Sequence, residues 1–118
     1  MEHYGFIEAT DPRYVSTVRK TYEHLCKDGL MFRYINEDDF GKPTTSFLIC
    51  TFWMIKSLYR IGEKQLAVKM FEDILSNGNH LGLFSEGMDI HNKRLLGNFP
   101  QAYSHLALID VAIMLNEK

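Results

Sequence analysis

Phe47-Leu48-Ile49-Cys50-Thr51-Phe52-Trp53-Met54-Ile55-Lys56-Ser57-Leu58-Tyr59-Arg60-Ile61-Gly62-Glu63-Lys64-Gln65-Leu66-Ala67-Val68-Lys69-Met70-Phe71 is the stretch that decides the fold. Its first half belongs to a predicted helix from about Ser46 to Ile61 that is apolar on nearly every side. Such helices are buried all round, so Trp53 is expected in a core rather than as a sugar platform. Gly62 stops that helix. From Glu63 to Ser76 the pattern becomes one-sided, with Leu66, Ala67, Met70, Phe71, Ile74 and Leu75 on one stripe, charges opposite, and Gly78 as the stop. A tight turn at Ile61-Gly62-Glu63 therefore joins a buried helix to an amphipathic one.

The same pair recurs outward from this stretch. On the N-terminal side, Asp11-Pro12 reads as an N-cap followed by proline at the first helical position. It opens an amphipathic helix carrying Tyr14, Val15, Val18, Tyr22 and Leu25, ended by Gly29. On the C-terminal side a helix from Pro100 to about Asn116 is again apolar almost all round. The order is amphipathic, buried, amphipathic, buried, a two-fold repeat with a period near fifty residues. Lys27-Asp28-Gly29-Leu30 before Phe32 recurs loosely as Asn79-His80-Leu81-Gly82-Leu83 before Phe84. Two inner helices need more neighbours than two amphipathic helices supply, so the chain reads as part of a larger stack. Its two long links, Lys27–Thr45 and Asn77–Phe99, are expected at one end of that stack, where binding and catalysis usually sit.

Composition sets the class. The chain has 118 residues, 46% hydrophobic and 24% charged, with a net charge of −2, ordinary for one small globular domain. A broad basic footprint for nucleic acid is missing, and the apolar runs are too short and interrupted to span a bilayer. The first residues lack the basic start and apolar core of a secretory signal. Cys26 and Cys50 are expected as buried thiols in a reducing, cytoplasmic compartment rather than as a disulfide.

The links hold the candidate chemistry. Arg33 lies among aromatics, which suits a guanidinium donating a fork of hydrogen bonds to hydroxyls or carboxylates; a surface ion pair with Glu37 or Asp38 is the plainer reading. Glu37-Asp38-Asp39 reads as a solvated turn. Glu86 follows an apolar stretch and precedes a glycine, a setting that can raise a carboxylate's pKa for acid–base work or simply hold a turn. His80, His91 and His105 share no ligand spacing and are expected to be structural or exposed; neither a metal nor a cofactor is expected.

Ser85-Glu86-Gly87-Met88-Asp89, followed by Leu96-Gly97-Asn98-Phe99-Pro100-Gln101-Ala102-Tyr103-Ser104-His105-Leu106, resembles the C-terminal signature of glycoside hydrolase family fifteen, the glucoamylase-type enzymes. Asp11-Pro12-Arg13, Asp28-Gly29-Leu30, Arg33-Tyr34 and Phe47–Trp53 match the same family in order, from about Thr10 to Leu115. The stretch resembles the prokaryotic branch, with its glucoamylases, glucodextranases and some trehalases. The resemblance implies an (α/α)6 barrel, of which residues 1–118 would be a single partial domain, the C-terminal third. It implies inverting hydrolysis of a terminal α-glucosidic bond in an α-glucan, oligosaccharide or disaccharide by two carboxylates. Glu86 would be the general base, Arg33 a sugar-hydroxyl donor, and Phe47 and Tyr103 apolar walls. The family's general acid lies upstream, so the chain alone is expected to be inactive, with the remainder of the barrel or a second copy covering its inner helices. The other reading is a non-catalytic helical interaction or oligomerisation module derived from that family.

Overall fold

The computed structural model describes residues 5–32, 45–77, 83–85, 87–90, 92–97 and 101–116. Four helices carry the architecture: α1 (Pro12–Leu25), α2 (Leu48–Arg60), α3 (Lys64–Leu75) and α4 (Ala102–Asn116). Between them run short strands β1 (Cys26–Lys27), β2 (Leu30–Met31), β3 (Thr45–Phe47), β4 (Gly87–Asp89) and β5 (Leu95–Leu96). The all-helical class and the order of the helices hold, and the strands are additions.

Helix α1 begins as its residues dictate. The Asp11 carboxylate accepts from the Arg13 amide at 2.9 Å and pairs with the Arg13 guanidinium at 2.8 Å, with Pro12 in the first turn. These bonds hold the Asp11 carboxyl down from 3.8 to about 2. A depressed carboxyl contributes stability above its unfolded pKa and loses it as pH falls through the folded one. The difference in thermal midpoint between the native chain and Asp11→Asn is therefore expected to shrink between pH 4 and pH 2, as followed by circular dichroism. A difference that stays constant over that range contradicts this assignment.

The helix ends at Leu25 rather than at Gly29. Asp28 and Gly29 both take positive φ (51° and 78°) and form the two-residue turn between β1 and β2, paired Cys26↔Met31 and Lys27↔Leu30. Asp-Gly favours this turn because both positions need left-handed backbone. The hairpin is tied to α2, whose Thr51 hydroxyl accepts the Met31 amide at 2.9 Å.

Helix α2 is the centre of the fold, packing on α1, α3 and α4. Leu48, Phe52, Ile55 and Leu58 on α2 join Tyr14 and Val18 of α1, Ala67, Met70 and Ile74 of α3, and Ala107 and Val111 of α4 in one core. Gly62, at φ 103°, makes the tight turn into α3. Lys56, nearly buried, crosses from α2 to Asp110 of α4 at 2.7 Å.

Two expectations fail here. Ser46 and Phe47 belong to β3, so α2 begins later than the apolar pattern implied. Trp53 is 58% exposed rather than core, so α2 is not covered all round. Helix α4 is apolar on all sides yet buries the smaller face. Ser104, Ala107, Val111 and Met114 point inward, while Tyr103, Leu106, Ile109 and Ile113 stand 67%, 62%, 52% and 58% exposed. No helix among the described residues is long and apolar enough to cross a membrane.

Candidate functional site

The two long links meet. Strand β3, from the first, pairs antiparallel with β4, from the second, in the register Thr45↔Asp89, Ser46↔Met88 and Phe47↔Gly87, and β5 completes a three-stranded sheet. Because β3 runs straight into α2, and the amide of Gln101 just before α4 donates to the Phe84 carbonyl at 3.0 Å, this sheet sits at the N-terminal ends of both inner helices. Lys93, in the turn between β4 and β5, reaches back to the Asp28 carbonyl at 3.0 Å and fastens the sheet to the first hairpin.

Phe84, Ser85, Gly87 and Met88 are each held by hydrogen bonds at this sheet end. Phe84 is buried, with its ring edge-on to Phe52 of α2 at a centroid distance of 6.2 Å. Its amide donates to His105 Nε2 at 3.1 Å. Ser85 is fully buried; its hydroxyl donates to the Gly87 carbonyl, and its own carbonyl accepts the Ser104 hydroxyl at 2.8 Å. The Ser46 hydroxyl donates to the Met88 carbonyl at 2.9 Å. Gly87 is a glycine because β3 lies against it: a Cβ would stand 2.7 Å from both the Ser46 carbonyl oxygen and Thr45 Cγ2.

Of the residues singled out from sequence, Glu86 and Arg33 lie outside the described residues, as do Glu37, Asp38, Asp39, His80 and His91. Phe47 is half-buried and stands opposite Gly87, one residue from position 86. Tyr103 is exposed in the first turn of α4, beside the Ser104 that holds the Ser85 carbonyl. Of the two proposed wall residues, Phe47 is set beside this segment by the strand pairing, whereas Tyr103 stands on the exposed face of α4. His105 has the structural role expected of it, with two backbone partners. Periodicity missed the polar framework of Ser46, Ser85, Ser104 and Gln101, because isolated serines carry no spacing signal.

Cys26 and Cys50 form no disulfide and are half-buried rather than buried. Burial pushes the Cys26 thiol up from its ordinary value, which makes it a poor nucleophile. Among the described residues no group of three His, Cys, Asp or Glu side chains could hold a metal ion. A shallow groove along α1, lined by Pro12, Val15, Arg19 and Glu23, carries none of the candidate residues.

The sequence profile of the glycosyl hydrolases family 15 matches residues 1–113. The chain is 44% identical over 114 residues to a trehalase of Thermoplasma acidophilum, covering 96% of this chain and 20% of that protein. A trehalase of Mycolicibacterium smegmatis is 40% identical over 111 residues, covering 92% and 17%. Trehalase 1 of Sulfolobus acidocaldarius is 31% identical over 106 residues, covering 90% and 19%. The chain thus spans about a fifth of the length of these curated relatives. No solved structure matches it. A match across nearly the whole chain, and helical hairpins that bring their long links together at one end, lead to one assignment: the chain belongs to the glycosyl hydrolases family 15, and its four helices are part of that family's (α/α)6 barrel.

Proposed function

We propose that this chain is the base-bearing part of an inverting exo-acting α-glycosidase, with Glu86 as the general base that activates water. The observation that carries the reading is the pairing of Phe47 with Gly87, which sets an aromatic beside the segment that bears Glu86. Arg33 donates to sugar hydroxyls, and Phe47 and Tyr103 wall the ring. In an inverting site the acid and base carboxyls stand about 6.5–9.5 Å apart, leaving room for the water. The acid comes from the part of the domain upstream of this segment. Trehalose is the favoured disaccharide, since the three relatives are trehalases. Two cysteines outside any disulfide suit a cytoplasmic setting.

The chain alone hydrolyses nothing in this account. Loss of the general acid forfeits a factor of about 10² to 10⁴, and loss of most of the sugar pocket removes further positioning. The test is a chimera in which this chain replaces the matching stretch of the Thermoplasma acidophilum trehalase. The chimera is expected to hydrolyse trehalose while the 118-residue chain does not. Turnover by the isolated chain, or a folded chimera without activity, overturns the reading.

The outward stripe of α4 gives this account a second consequence. Leu106, Ile109 and Ile113, each more than half exposed, leave apolar surface on the order of 300 Å², within the range of a monomer's largest, often functional patch. In the complete domain the upstream helices cover it. The isolated chain is expected to self-associate through it, giving dimers or larger species in sedimentation velocity, and the double substitution Leu106→Lys/Ile113→Lys is expected to return a monomer. A native chain that sediments as a monomer contradicts the open-face account and, with it, the alternative of an oligomerisation module.

A further inference from the structure

The described residues on either side of position 86 are each clamped to a helix. On its C-terminal side Gly87 and Met88 are held by the β3 ladder and the Ser46 hydroxyl, and so by α2. On its N-terminal side Phe84 and Ser85 are held by three bonds to the start of α4: Gln101 amide to Phe84 carbonyl, Phe84 amide to His105 Nε2, and Ser104 hydroxyl to Ser85 carbonyl. Only one of these three acceptors is a side chain that can take more than one form. The Phe84 amide can only donate, so His105 Nε2 must be unprotonated. The Gln101 carbonyl, 2.6 Å from Nδ1, can only accept, so Nδ1 carries the proton. The ring is thereby fixed as the neutral Nδ1–H tautomer, bridging the first turn of α4 to the amide two residues before Glu86.

We infer that His105 is a positioning residue: its Nε2 holds the Phe84 amide, two residues before Glu86, and thereby serves the carboxylate read as the general base. The inference rests on the reading of Glu86 as general base. His105 does not touch the sugar or the water in this role. It acts through the Phe84 amide, which without it is left with no acceptor beside a buried ring. A misaimed base still binds substrate but attacks poorly, because small displacements at the reacting centre are costly. The effect therefore falls on kcat rather than KM.

Two amide side chains separate the two ring nitrogens. In His105→Gln the amide oxygen takes the place of Nε2 and accepts from Phe84. In His105→Asn the amide nitrogen takes the place of Nδ1, keeps the bond to Gln101 and leaves the Phe84 amide unpaired. In the 118-residue chain, ring ¹⁵N shifts are expected to report the Nδ1–H tautomer. Hydrogen exchange at the Phe84 amide is expected to stay slow in the native chain and the Gln variant and to accelerate at least about tenfold in the Asn variant, with the amides of Ala107 and Val111 unchanged in all three. In the chimera, kcat is expected to fall about tenfold or more in the Asn variant at constant KM and to recover in the Gln variant. An Nε2–H tautomer, or equal Phe84 exchange in the Asn and Gln variants, overturns the inference. So does a kcat that falls equally in both variants. The exchange arm reads the clamp whether or not the chimera hydrolyses sugar, so failure of the clamp and failure of the glycosidase reading give different results.

Discussion

Glu86→Gln is expected to lower trehalose hydrolysis by the chimera by a factor of about 10² to 10⁴, with KM little changed. Glutamine keeps the shape and the hydrogen-bonding reach of glutamate, so the segment between Ser85 and Gly87 meets no new volume. It cannot take a proton from water, and inversion depends on that transfer. The neighbouring carboxylate is the control. Asp89 sits at the end of β4, where its side chain accepts the Asn92 amide at 3.1 Å and shapes the turn into β5. Asp89→Asn is expected to leave kcat within a few-fold of native. Initial rates on trehalose measure both. A comparable loss in the two variants would place the effect in the sheet rather than in the base.

Gly87→Ala carries the largest expected structural effect of a single methyl group. The added carbon would lie 2.7 Å from the Ser46 carbonyl oxygen, a backbone atom of β3 that can move only with the strand, and 2.7 Å from Thr45 Cγ2. Overpacking of this kind costs about 1–3 kcal/mol, a large share of the roughly 5–15 kcal/mol of an ordinary domain. The cost comes from close approach, since Gly87 is not among the residues with positive φ. Urea unfolding of the isolated chain is expected to show a lower midpoint at an unchanged slope. The chimera is expected to lose activity beyond what the stability change explains, because β3 carries Phe47 and pairs with the segment bearing Glu86. An unchanged midpoint would mean that β3 and β4 are not paired in the register Phe47↔Gly87.

How much could be read from the residues depends on what kind of signal each position carries. Asp11-Pro12, the Ile61-Gly62-Glu63 turn and the uniformly apolar α4 announce themselves locally, and the structure has them where the pattern put them. Asp28-Gly29 was also a local signal, but for a hairpin rather than a helix stop, and only the residues after the glycine separate the two uses. Leu30 and Met31 are both buried, so β2 shows none of the alternation that marks a half-exposed strand. Strand β3 is invisible for another reason: its last residue adjoins α2, and Phe47 reads as one more apolar position of that helix. Trp53 shows the limit of periodicity. A helix apolar all round is evenly covered only in a complete barrel, and the described residues leave one side of α2 open. The meeting of the long links followed from the alternation of inner and outer helices, whereas the serine framework depends on pairings far apart in the chain, such as Ser46 with Met88.

A crystal structure of the chimera with a bound, uncleaved disaccharide analogue would show whether Glu86 faces the scissile bond. The Glu86 carboxylate is expected within about 2.6–3.2 Å of a water beneath the anomeric carbon, with Arg33 on the hydroxyls of the same ring. A sugar bound elsewhere, or a Glu86 side chain turned away from the Arg33 link toward the opposite end of the helices, would contradict it.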